Sequence, residues 1–356
     1  MAFKNQHFHR EIMAFKNQDF HRSGPRRRTR IDWKNADHGR SVVASLVKGA
    51  YVLERDRRGK REGSQALAPP WWETFAFQLK RILVDGADSS IFGAIFEYKP
   101  LPSSCNHSAD GPCFVVAFRG TLFTKESFFR DIELDVQFLR NELHSSSRCK
   151  TAVQAVEDLV AATGNSKVVW LAGHSLGSAI ALEAGKNMAK KGYYLESFLF
   201  NPPYASIPIE KIKSKIWKRA FQLAESGLCA AAALAKQSPE QLKQSADSFA
   251  ALSPWVPQLF VNKADCVCSG YIGYFEHGKW MQKFRLGGIR KIASRYSVIL
   301  LFMSENGTQA EPLHLIPSAN LSINSKPPKC FLRAHKISEW WKLDLELESE
   351  VYKYEY

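Results

Sequence analysis

The stretch SKVVWLAGHSLGSAIALEAGKNMAK, Ser166 to Lys190, decides how this chain is read. It opens on an apolar run, Val168, Val169, Trp170 and Leu171, bounded by Ser and Gly, which suits a strand buried in a parallel sheet. From Leu176 onward the period changes, because Ala179, Ile180, Ala184 and Met188 recur at helical spacing. The change falls at Ser175, which Gly173 and Gly177 bracket as G-x-S-x-G, with His174 directly before it. A serine on so sharp a strand-to-helix turn is lifted above the sheet edge, and the turn tolerates only small residues two positions to either side. The first N–H groups of the helix, which lack intrahelical acceptors, lie beside that hydroxyl and can hydrogen-bond a developing oxyanion. The pattern therefore predicts a nucleophile at Ser175.

Upstream, IFGAIFEYK from Ile91 and CFVVAFRGT from Cys113 read as neighbouring strands joined by an exposed loop. The second ends in Arg119-Gly120-Thr121, either a plain strand terminus or a flexible end from which a second oxyanion donor points toward Ser175. Helices are predicted at Ser41 to Glu54, over the aromatic WWETFAFQLKRIL, and at Lys125 to Leu139 and Ser146 to Ala162. The tryptophans of the aromatic segment are expected in the core. Downstream, LESFLFNPPYA is another apolar strand, stopped by Asn-Pro-Pro. Strands alternating with helices argue for a mostly parallel sheet and an α/β fold.

Residues 208–252 interrupt the alternation with a helical pattern whose stripe is Ile209, Ile212, Ile216, Ala220 and Leu223. They are expected to form a helical cap, either a mobile lid or a pair packed permanently on the sheet. A strand follows at Pro257 to Asn262, with Asp265 in the loop after it. Beyond a low-signal stretch, RYSVILLF reads as a buried strand and EPLHLIPSANLSIN as an edge hairpin. CFLRAHKISEWW then places His335 before an amphipathic segment, and KLDLELESEVYKYEY is acidic and solvated.

Composition sets the outer bounds. At 356 residues with 45% hydrophobic and 24% charged residues the chain is globular, and it lacks the roughly 18 unbroken apolar residues of a membrane span. Seven scattered cysteines without a C-x-x-C pair indicate neither a disulfide scaffold nor a zinc site, and they favour reduced thiols in an intracellular, cytoplasmic setting. The polar start, MAFKNQHFHREIMAFKNQDF, a near duplication of ten residues, does not match a secretory signal, and Met1 or Met13 could be the working start. Net charge is +14, and residues 1–40 carry ten Lys/Arg against four Asp/Glu. The expected division is a basic disordered arm at 1–36, one catalytic domain at 37–345 with the 208–252 insertion, and an acidic tail at 346–356.

A serine at such a turn needs a base, and the base needs a carboxylate to hold its tautomer. Ser175, Asp265 and His335 follow the chain order that this fold requires. His314 is the main rival for the base; Asp247 lies inside the insertion, and His277 is too near Asp265 to leave a strand between them. His174, adjoining the nucleophile, must point away from it.

VVAFRGT at 115–121, GHSLGSAIAL at 173–182, FNPP at 200–203 and VNKAD at 261–265 together resemble the class 3, fungal lipase-like branch of the α/β-hydrolases. The likeness runs from about 91 to 341. DWKNADHGRSVVASLVKGAYVLERDR, LAPPWW, YIGYFEH and AHKISEWW are similar to a plant subfamily labelled GDSL esterase/lipase, although the serine here lies in GHSLG and no Gly-Asp-Ser-Leu block occurs. The resemblance implies an α/β-hydrolase fold, Ser175 as nucleophile, Asp265 as orienting acid, His335 as base, and Thr121 and Leu176 as the oxyanion hole. Where many relatives read GHSLGG, this chain has Ser178. The expected activity is hydrolysis of a lipid-like acyl ester without metal or organic cofactor, with peripheral contact to an anionic lipid surface and no nucleic-acid partner. A catalytically silent hydrolase fold used for binding is the alternative.

Overall fold

The computed structural model describes residues 31–67, 70–100, 111–122, 146–204, 215–284, 286–296, 312 and 314–354. The first helix, α1 (Ala36–Gly59), begins where the Asn35 side chain accepts the N–H groups of Asp37 and His38. It ends where Lys60 turns into the left-handed region at φ 48°, and the N–H of Arg61 returns to the carbonyl of Asp56.

The aromatic segment after it differs from expectation. Only Trp71–Phe75 turns, as a short 3-10 helix, and Ala76 at φ 60° stops it. Phe77–Val84 is then a strand, β1. Phe75, Leu79 and Ile82 fit a helical period while Phe77 and Leu83 fit a strand period, and pairing along β2 (Ile91–Tyr98) decides between them. Trp71 and Trp72 are buried in the core.

Among the described residues six more strands join the same sheet: β3 (Phe114–Phe118), β4 (Val169–His174), β5 (Ser197–Phe200), β6 (Gln258–Asn262), β7 (Ala319–Asn324) and β8 (Leu347–Tyr352). Their order in space is their order in the chain. Neighbours from β3 to β7 run parallel, and the pairs at both ends of the sheet are antiparallel. This mostly parallel sheet with helices between its strands is an α/β-hydrolase fold. Side chains alternate across it. Val169 and Leu171 of β4 join the core under α2 (Ser147–Thr163) and α3 (Leu176–Lys190), while Trp170 and Ala172 join the core under α1. No described helix is long and apolar enough to cross a membrane.

The insertion supplies α4 (Lys215–Lys236) and α5 (Pro239–Ala251) between β5 and β6. The low-signal stretch holds α6 (Gly270–Lys283) and α7 (Gly287–Ala293). The EPLHLIPSANLSIN segment is no edge hairpin, since β7 lies between β6 and β8. The acidic C-terminal stretch is exposed as expected, yet it forms the outermost strand, β8. Trp33, within the span expected as an arm, is buried against Phe77, Tyr98 and Trp170. The basic arm up to residue 30, the helix at Lys125 to Leu139, most of RYSVILLF, and Ile209 and Ile212 lie outside the described residues.

Candidate active site

Ser175 closes β4 and precedes α3 with φ 55° and ψ −128°, a backbone that a residue with a Cβ seldom adopts. The surroundings fix it there. Its N–H donates to the carbonyl of Phe200 at 3.0 Å, and its own carbonyl accepts the N–H of Ser178 at 2.8 Å. A Cβ on Gly173 would collide with the backbone of Gly177, and one on Gly177 would collide with the carbonyl of Phe118, so the two glycines are what allow the turn to close. Ser178, in place of a third glycine, donates its hydroxyl to Phe200 at 2.9 Å and is fully buried.

Asp265 and His335 converge on this turn from segments that follow later strands. Asp265 follows β6, where its N–H closes a turn on the carbonyl of Asn262 at 3.0 Å. His335 ends the one-turn helix α8 (Phe331–Ala334). Its Nδ1 lies 2.8 Å from Asp265 Oδ2, and its Nε2 lies 3.1 Å from Ser175 Oγ. All three side chains are buried. A carboxylate only accepts, so it draws the proton to Nδ1 and leaves a lone pair at Nε2 facing the hydroxyl. Asp265 is held in turn, with Oδ1 accepting the N–H of Val267 at 3.0 Å and Oδ2 accepting the Asn201 amide and, at 3.4 Å, the Cys268 thiol.

The rival groups lie elsewhere. His314 packs edge-on against Tyr204, and with His277 it lines a separate cavity of about 650 Å³ between α4, α6, α7 and β8 whose walls carry none of the three converging residues. His277 contacts the Ser226 hydroxyl at 3.1 Å, and burial pushes its pKa down to about 4. Asp247 is exposed on α5. His174 points away from Ser175, with its ring nitrogens on the Tyr51 hydroxyl and the carbonyl of His335.

Leu176 opens α3, so its N–H belongs to the helix end beside Ser175. The chain after β3 crosses over the same serine, because a Cβ on Gly120 would come within 2.9 Å of Ser175 Cβ. That crossing is braced from below by a buried guanidinium. Arg119 donates from Nε to the carbonyl of Ile91 at 2.5 Å and from Nη1 to that of Gly120 at 2.7 Å. Its charge faces Glu54 at 3.8 Å. Burial pushes the Glu54 carboxyl up, but bonds from Arg57, Arg58 and the N–H of Ile91, with the charge of Arg119, outweigh it and bring the pKa down to about 2. A trans peptide sets C=O and N–H on opposite sides, so fixing the Gly120 carbonyl also fixes the direction of the Thr121 N–H.

Sequence reasoning missed Tyr51, Asn201 and Trp340. Asn201 donates to Asp265 and to the carbonyl of Ala334 and accepts the Trp340 indole N–H, so one amide joins acid, base loop and core. Its only sequence signal was the FNPP stop after β5.

No known family model matches the chain. Over 344 residues it is 46% identical to an Arabidopsis thaliana protein named a GDSL esterase/lipase, a match that spans 93% of this chain and 97% of the relative. Among solved structures, a lipase from Rhizopus microsporus var. chinensis aligns with a TM-score of 0.34 at 15% identity, over 69% of this chain and 72% of that one. The extracellular lipase LipA from Serratia marcescens aligns with a TM-score of 0.28 at 13% identity, over 50% of this chain and 39% of that one. Both superpositions are too loose to carry weight, whereas the Arabidopsis thaliana match spans nearly the whole of both chains, and by it the protein belongs to the GDSL esterase/lipase family.

Proposed function

We propose that the protein is a serine carboxylic-ester hydrolase that cleaves lipid-like acyl esters through an acyl-enzyme. The observation that carries this reading is the buried run from Asp265 through His335 to Ser175 Oγ. Ser175 Oγ attacks the ester carbonyl carbon as His335 Nε2 takes the hydroxyl proton, and Asp265 stabilises the imidazolium that forms. The carbonyl oxygen becomes an oxyanion facing the N–H groups of Leu176 and Thr121, each such donor contributing about 10²–10³ to kcat in comparable sites. Collapse expels the alcohol, which receives the proton from His335. Water, deprotonated by the same imidazole, then attacks the acyl carbon, releasing the acid and restoring Ser175.

A lipid substrate and an anionic surface fit the outer face of the cap helix α4. Phe221, Leu228 and Leu234 are exposed there at 37%, 51% and 58%, with Ala224 and Ala231 between them and exposed Arg219 and Lys236 toward the ends. That face joins apolar contact to positive charge, as an interfacial helix does. The sequence stripe expected to do this ran through Ile209 and Ile212, outside the described residues.

A fluorophosphonate should label wild type and not Ser175→Ala, and p-nitrophenyl esters of rising acyl length should be turned over by wild type alone. With the longer esters the rate should rise as concentration passes the solubility limit, more so with anionic lipid present. Equal labelling of both proteins, or labelling without turnover of any ester, would leave a binding protein on a hydrolase fold.

A further inference from the structure

Apart from Asp265, the groups assigned to catalysis come from three distant stretches, the loop at 120–121, the turn at Ser175 and the loop at His335. One buried run of hydrogen bonds joins them. The Gly120 N–H donates to the Tyr51 hydroxyl at 2.8 Å, that hydroxyl lies 2.8 Å from His174 Nδ1, and His174 Nε2 lies 2.6 Å from the carbonyl oxygen of His335. The ends dictate the direction of every bond. A carbonyl oxygen only accepts, so Nε2 of His174 carries the proton and donates it. Nδ1 of the neutral ring then accepts from the Tyr51 hydroxyl, whose oxygen is left to accept from Gly120. Burial, and after it the neighbouring His335, hold the His174 pKa well below the ordinary value, which keeps the ring neutral and the polarity of the run intact.

The run also explains the glycine. A Cβ at position 120 would lie 2.8 Å from the Tyr51 oxygen and 2.7 Å from the carbonyl of His174, so a bulkier residue could not bring its N–H to the hydroxyl. Packing alone does not require these groups, since phenylalanine at 51 would fill the same space beside His174 without burying a hydroxyl.

We propose that Tyr51 and His174 are positioning residues that tie the oxyanion loop to the catalytic base, so that the Thr121 N–H and the His335 imidazole are held about Ser175 as one unit. This rests on the hydrolase reading of Ser175, His335 and Thr121 given above. Losing a direct oxyanion donor lowers kcat by about 10²–10³, and loosening a donor and a base through an intermediary should lower it by about 10-fold to 100-fold.

The test uses the full chain as wild type, Ser175→Ala, Tyr51→Phe, His174→Gln and the Tyr51→Phe/His174→Gln double variant, with kcat and KM on a p-nitrophenyl ester and fluorophosphonate labelling. Glutamine keeps a donor able to reach the His335 carbonyl and offers nothing at the Nδ1 position. Each single variant should lose about 10-fold to 100-fold in kcat with KM within about twofold, and the double variant should fall no further than the worse single one, because both remove the same bond. Additive losses, or wild-type kcat in Tyr51→Phe, overturn the proposal. In wild type, ¹⁵N-histidine NMR should place the His174 proton on Nε2, and a proton on Nδ1 overturns the proposal however the variants fold. A wild type that neither labels at Ser175 nor turns over ester overturns the hydrolase reading and the positioning role with it. A wild type that labels, beside an indifferent Tyr51→Phe, overturns the positioning role alone.

Discussion

Asn201 holds its backbone at φ 47°, which asparagine enters more readily than other residues with a Cβ, and from there it satisfies Asp265, Ala334 and Trp340 at once. Asn201→Ala should therefore destabilise by about 2–4 kcal/mol, from an orphaned indole N–H and a strained backbone, and should lower kcat as Asp265 loses a partner. Asn201→Gly relieves the backbone strain alone and should recover about 1 kcal/mol of that loss in urea denaturation. Equal stabilities for the two variants would refute the strain argument. That Ser175, Asp265 and His335 would be brought together was legible in the sequence, because their chain order and their places in loops after strands and helices follow from the fold. Tyr51, Asn201 and Trp340 were not, because their roles arise from contacts across 123 and 139 residues that no local pattern records.

At the scale of elements, what misled was tertiary contact overriding local signal. The α6 segment carries Gly270, Gly273 and Gly278, which weaken a helical reading, yet a Cβ on Gly270 would strike the Tyr204 ring. Glycine there serves close packing. The β1 segment fits two periods, and an antiparallel partner settles it. The same reasoning separates two glycines inside helices. Gly185 of α3 faces the Trp255 ring, so Gly185→Ala should destabilise by about 1–3 kcal/mol through overpacking. Gly227 of α4 has nothing within 4 Å of where a Cβ would sit, so Gly227→Ala should stabilise by about 0.5–1 kcal/mol. Denaturant midpoints that move in the same direction for both would contradict these contacts.

For the molecule as a whole, burial sets the pH response. His174 is pushed well below its ordinary pKa and His277 to about 4, whereas an unfolded histidine titrates near 6.5. Below about 6.5 the unfolded chain binds protons that the folded chain refuses, so this stability is full above that pH and is lost as pH falls toward the folded values. Each histidine contributes about 1.4 kcal/mol per pH unit in that window. Glu54, at about 2, extends the loss below the ordinary carboxylate range, while Glu196, raised by burial, opposes it over its own titration. Urea unfolding should give a free energy about 2–4 kcal/mol lower at pH 5 than at pH 7, and a flat profile would show that these rings are not held neutral.

Because strand order in space equals strand order in the chain, every strand from β2 to β8 docks onto a neighbour already synthesised. The described strands can thus add one after another along the growing edge as the chain leaves the ribosome. Function cannot grow in step with it. A nascent chain stopped after β6 would hold Ser175 and the described strands β1 to β6 but would still lack His335, the base proposed above. The segment just after His335 also clasps the first described helix, where Arg40 and Ser41 of α1 donate to the carbonyls of Trp340 and Trp341. Folding of this one segment therefore joins the clasp on α1 to the arrival of His335, the base proposed above.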